Sequence, residues 1–134
     1  MSTEKRETLE IERSQWIPFL DTFTRENRGA HARLEVVGPD VGDQVETGDR
    51  PFEGVAADVR KSDEPAVWIT FGASPEDHLT HGVHNVKVIR ALPADGEQGP
   101  VLEVEGSDGN RTILELSLPG KYALQPADRE ERKS

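Results

Sequence analysis

Cysteine is absent from the 134-residue chain, which excludes disulfides, thiol nucleophiles and cysteine-ligated zinc. Basic side chains are scarce: 16 Lys and Arg stand against 26 Asp and Glu, a formal charge of −10. Nucleic-acid affinity comes largely from basic neutralisation of phosphates, so this balance argues against such a partner. Long apolar runs are missing as well, none approaching the ~18–20 residues that span a bilayer. The leading MSTEKRETLEIER lacks the apolar core of a secretory signal. These absences lead us to expect a soluble, acidic, cytoplasmic protein without membrane contact. Aromatic residues make up 5% of the chain, so where they fall is informative.

Recognisable catalytic and cofactor motifs are missing too. Gly72-Ala73-Ser74 is followed by proline and lacks the G-x-S-x-G elbow of a serine nucleophile. No Walker or G-x-G-x-x-G loop is present to cradle phosphates, and no cofactor is expected. Asn110-Arg111-Thr112 matches the glycosylation pattern, which carries no weight without a secretory signal.

What is present can form a small core. Leu, Ile, Val and Phe are about 23% of the residues, just above the roughly 20% below which charged chains tend to stay unfolded. The terminal stretches 1–13 and 119–134 are together charge-neutral, so the whole −10 falls on residues 14–118. PADREERKS has no apolar residue beyond alanine and cannot offset the entropy of ordering. We therefore expect a single domain over 14–118, flanked by a mobile 1–13 and a disordered 119–134.

Trp16, Phe19, Leu20 and Phe23 recur at helical spacing, which predicts an amphipathic helix. Ser14 is the expected N-cap and Gly29 the expected stop, with Pro18 harmless in the first turn. Everything after it reads as strand. Apolar residues alternate at Ala32–Val36, Val67–Phe71, Val86–Val88, Leu102–Val104 and Leu114–Leu118, the period of a half-buried strand. Asp108-Gly109 between the last two runs is a hairpin signal, and a further strand is expected over Phe52–Val59 with Gly54 as a bulge. The fold class is α+β, mainly β: a curled antiparallel sheet or partly open barrel of about six strands, with one helix packed on it.

Three sets of residues invite a functional reading. His78, His81 and His84 form H-x-x-H-x-x-H beside Asp77, with His31 alone upstream. On a strand, positions three apart face opposite ways, and the outer two histidines would be roughly 20 Å apart at about 3.3 Å per residue. A metal site there would need a turn or partners from elsewhere, so a strand with His81 half-buried is the plainer reading. Asp40, Asp43, Glu46, Asp49 and Glu53 form an acidic stretch without the rhythm of a calcium loop, and read as a solvated acidic face in a loop. Trp68 stands on the opposite parity from Val67, Ile69 and Phe71. If those three face the core, the indole faces outward, where it could anchor a partner.

Several segments together resemble a small bacterial domain family of unknown function. They are the Trp16–Phe23 helix, Gly38-Pro39-Asp40-x-Gly42-x-Gln44, Asp77-His78-Leu79-x-His81 and Asp108-Gly109. The resemblance spans about residues 12–118 and implies no activity, only that the His78/His81 segment is a family feature. By architecture alone, a helix followed by a bent barrel resembles small Sm-like or SH3-like folds, whose RNA-binding members the negative charge opposes. The preferred expectation is a non-catalytic module that binds a protein or self-associates through an exposed sheet face or edge. The alternative is a small metal-dependent protein or enzyme using His78 and His81, in which a histidine would serve as base near neutral pH. A solubility role in a salty cytoplasm rests on composition alone.

Overall fold

A computed structural model describes residues 7–39, 42–61, 63–74, 76–96 and 98–117. Among these residues, eight strands form one antiparallel sheet that does not close. In chain order they are β1 (Leu9–Ile11), β2 (His31–Gly38), β3 (Gly42–Asp58), β4 (Ala66–Ser74), β5 (Asp77–His84), β6 (Val86–Leu92), β7 (Val101–Gly106) and β8 (Arg111–Ser117), with helix α1 (Trp16–Asn27) after β1. Their spatial order is β1-β6-β7-β8-β2-β3-β4-β5.

The long β3 is the hinge of this sheet. Its first part pairs with β2, His31 opposite Pro51, and its second part pairs with β4, Phe52 opposite Phe71. The register shifts between Phe52 and Gly54, so Gly54 does mark a bulge, and a bulge bends and twists its strand. The bend folds the β3–β4–β5 half back over the rest. Leu34, Ile89, Leu102, Val104 and Leu114 from one half, and Val67, Ile69 and Phe71 from the other, are completely buried in one core.

Beyond its pairing with β2, β3 has a bare edge, and α1 covers it. The Thr24 hydroxyl donates to the Val55 carbonyl at 3.1 Å and accepts from the Val55 amide at 2.9 Å. One side chain thus does for Val55 what a neighbouring strand would do, which removes the cost of two buried unpaired groups. Trp16, Leu20 and Phe23 are buried as their spacing predicts, and Phe19 packs partly buried beside them. Phe23 meets Phe52 edge to face with centroids 5.8 Å apart. Gly29 stops the helix at φ +93°, a conformation that suits glycine.

Ser14 is not the N-cap. It lies in a 3-10 turn, Arg13–Gln15, and Gln15 occupies the cap without a side-chain bond. Turn carbonyls of Glu12 and Arg13 accept the amides of Gln15 and Trp16, and Pro18, third in the helix, has no N–H for a cap to satisfy. The amino-terminal boundary also moves. Within the stretch expected to be a mobile tail, β1 pairs with β6, Leu9 opposite Ala91 and Ile11 opposite Ile89. The indole N–H of Trp16 donates to the Ile11 carbonyl at 3.0 Å. Three residues are too few to show a period, so β6 and Trp16 are what hold this strand in place. Residues 119–134 and Leu118 lie outside the described residues.

Two further differences concern phase. The acids Asp43, Glu46, Asp49 and Glu53 sit on β3 and not in a loop, because backbone pairing with β2 extends a segment with little apolar content; Asp40 lies outside the described residues. On β6 the register shifts between Val86 and Val88. The extra residue changes the parity, so Val86, Ile89 and Ala91 are buried while Val88 is not. The Asp108-Gly109 hairpin forms as expected, with Gly109 at φ +87° and the Asp108 carboxylate accepting the Asn110 amide at 3.0 Å.

Candidate functional site

Cross-strand register decides which side chains share the outer face of the β3–β4–β5 half. Ala56, Trp68 and Gly82 lie in one row, and Gly54, Thr70 and Thr80 in the next. Val67, Ile69 and Phe71, on the other parity of β4, are wholly buried, and Trp68 is 39% exposed, as its parity requires. Its large ring therefore stands on a floor of small residues. A Cβ at position 82 would collide with the six-membered ring of the indole, so only glycine lets Trp68 lie down across β5. His84, on the same face, meets the indole edge to face at 5.2 Å and 86°, a favoured aromatic geometry. Among the described residues β5 is the last strand of the sheet, and the outer edge of such a strand offers backbone donors and acceptors.

At the other end of β5, His78 Nε2 lies 2.6 Å from Glu53 Oε1, and Arg50 pairs with Asp77. Glu53 and His78 belong to strands separated by β4. The pair therefore spans β4, whose Gly72 lies so close to β5 that a Cβ there would collide with the Asp77 carbonyl. Both partners of the Glu53–His78 pair are nearly half exposed, so water screens the pair and its worth to stability is small.

The three clustered histidines do not converge. His81 pairs opposite Ile69 on the core side, whereas His78 and His84 share the outer face six residues apart. Among the described residues no group of three or more His, Asp or Glu side chains is placed to hold a metal ion. His31 lies on β2 opposite Ser117, remote in the sheet order from β5. The acidic side chain at Asp43 instead faces Glu35. Their hydrogen bond, helped by partial burial, raises the Glu35 carboxyl above its ordinary value. Gly82 is the member of this region that sequence reasoning missed, whereas His84 and Glu53 enter that reasoning only through the histidine spacing and the acidic stretch. Period-two alternation in DHLTHGVH put His84 and Gly82 on one face, but only register sets Gly82 under Trp68.

One family model matches residues 7–124, far more than half the chain. The chain belongs to DUF5335, a family of unknown function. An uncharacterized protein of Aquifex aeolicus (strain VF5) is 29% identical over 109 residues, covering 81% of this chain and 91% of that protein. No solved structure matches. The DUF5335 match begins at residue 7, ahead of β1, which agrees with the strand being part of the fold. No helix among the described residues is long and apolar enough to cross a membrane.

Proposed function

We propose that this domain is a non-catalytic interaction module that receives an extended segment of a partner protein along the free edge of β5, with Trp68 as the anchor. The supporting observation is the exposed indole laid over Gly82 beside the strand that ends the sheet among the described residues. An added strand takes its affinity from backbone hydrogen bonds and its specificity from side-chain pockets. A large, rigid ring next to that edge is the kind of residue that dominates binding energy. The net charge of −10 favours a basic segment, because opposite charge speeds encounter, and a cation placed over the indole face would gain further. The same reading sets the protein in the cytoplasm, without nucleic acid or membrane as partner. A catalytic or metal-dependent use of His78 and His81 has less support, since the two side chains project to opposite faces.

The test uses Trp68 as its own reporter. Extended basic peptides selected against the wild-type protein should shift tryptophan emission to the blue on binding. Their affinity should fall at least tenfold in Trp68→Ala, about 1.4 kcal/mol. If no such peptide binds, or if binding survives Trp68→Ala unchanged, the reading fails. Concentration-dependent self-association that disappears in the same variant would identify a second copy as the partner.

A further inference from the structure

At the β1 end of the sheet an apolar groove carries a single charge. Phe19, Phe23 and Glu26 stand at i, i+4 and i+7 of α1, a spacing that sets them along one face of a helix. They line a space of about 370 Å³ together with Leu9, Pro93 and Pro100, and Glu26 is the one charged residue among the described lining. That volume lies at the lower end of the roughly 300–1,000 Å³ of small-molecule sites. The aromatic wall is fixed in place. Phe23 is buried and meets Phe52 edge to face at 5.8 Å, and Phe19 leans on Phe23 with ring centroids 6.2 Å apart. A wall already ordered spares a ligand the cost of ordering it. Leu9 is 50% exposed, leaving apolar surface that a ligand would withdraw from water.

The charge at the rim is not balanced by its neighbours. Glu26 is exposed in the last turn of α1, where orphan carbonyls already make a helix end partly negative. A carboxylate at that position opposes the helix dipole, so the helix itself gains nothing from it. The cations beside it in the chain are held by other groups: Arg25 donates to Asp21 at 2.7 Å, and Arg28 to the Glu53 carbonyl at 3.1 Å. The net charge of −10 has the same sign. An anion is therefore repelled from this groove and a cation drawn to it.

We propose that the groove binds a small organic cation, a primary ammonium on an apolar chain, with the ammonium on Glu26 and the chain along Phe23 and Phe19. Ring faces attract a cation as well. From Phe19 to Glu26 the helix rises about 10 Å at about 1.5 Å per residue, which suits an extended chain of about six carbons. The site lies on the sheet edge opposite Trp68 and does not depend on the function proposed above.

Hexylammonium, hexanol and hexanoate share one chain and differ in charge. Titrated into the full chain and followed by methyl NMR, hexylammonium should move the Leu9 and Ala91 methyl signals, both residues being part of the lining. It should bind at least tenfold tighter than hexanol, with hexanoate weakest. In Glu26→Gln, which keeps the side chain's shape at an exposed position, that advantage should vanish while hexanol binds as before. Equal affinity for hexylammonium and hexanol overturns the proposal, and so does an advantage that survives Glu26→Gln. Signals that move only away from the groove overturn it too. So does the absence of any shift with all three probes, the result expected if another stretch of chain or a second copy already fills the space.

Discussion

The two halves of this sheet share one core but treat their outer faces in opposite ways. On the β6–β7–β8–β2 half, Arg90 donates to Glu103 at 2.6 Å and to Glu105 at 2.9 Å. Arg33 reaches Glu35 at 2.9 Å and Glu115 at 3.6 Å, and Arg111 lies 3.8 Å from Glu103. Register builds these pairs: Arg90 stands directly opposite Glu103 and Arg33 opposite Glu115, while Arg111 reaches Glu103 on the diagonal. On the β3–β4–β5 half, the rows around Trp68 hold an indole, two glycines, an alanine and two threonines. A face laced by cross-strand charge offers little to an apolar partner. An exposed indole on the outermost strands offers more, and the proposed recognition role rests on that contrast.

Removing what joins the halves should have the largest effect. Phe52 is 1% exposed and sits at the β3 bend under Phe23. Phe52→Ala is expected to lose about 3–5 kcal/mol of stability in denaturant melts, with both faces disordered together. Thr24→Val keeps the shape but strands the Val55 amide and carbonyl, and should cost about 1–3 kcal/mol. Native-state hydrogen exchange would show it, with the Val55 amide losing more protection than amides of β7.

Milder changes sharpen the contrast between the faces. Arg90→Met removes two ion pairs from the laced face and should cost about 1 kcal/mol or less, a loss that shrinks as salt is added. Trp68→Ala, on the open face, should change stability by no more than about 0.5–1 kcal/mol while weakening the proposed peptide binding at least tenfold. A large stability loss there would mean that the indole belongs to the core. The smallest effect concerns the β3 terminus. Two side-chain bonds and a backbone bond from Arg60 hold Asp58 down to about 2, below its ordinary 3.8. A depressed carboxylate stabilises above pH 3.8, and that contribution is lost as pH falls through about 2. In Arg60→Ala, carboxyl NMR should find the Asp58 midpoint moved back up towards 3.8, with little change in stability at pH 7.

Much of this architecture was legible from side-chain periodicity. Val67-Trp68-Ile69-Thr70-Phe71 announced its buried and exposed parities because a strand has a period of two, whatever its partners. Trp16, Leu20 and Phe23 likewise announced a helix face. The strand at Leu9–Ile11 was hidden because three residues carry no period. The strand status of Gly42–Pro51 was hidden because backbone pairing, unlike side-chain burial, leaves no compositional mark. The parity of Val88 was misread because a bulge adds one residue and turns over everything beyond it.

By itself, then, the chain's order of polar and apolar residues determined the helix, the hairpin at Asp108-Gly109, most of the core and the outward aim of Trp68. Those features depend on local geometry that repeats every two or 3.6 residues. The tertiary structure alone decided that Gly82 lies beneath the indole, that Glu53 meets His78 across β4, and that Thr24 completes the edge of β3. Each joins residues from elements far apart in the chain, and their meeting depends on strand order and register, which no local pattern encodes.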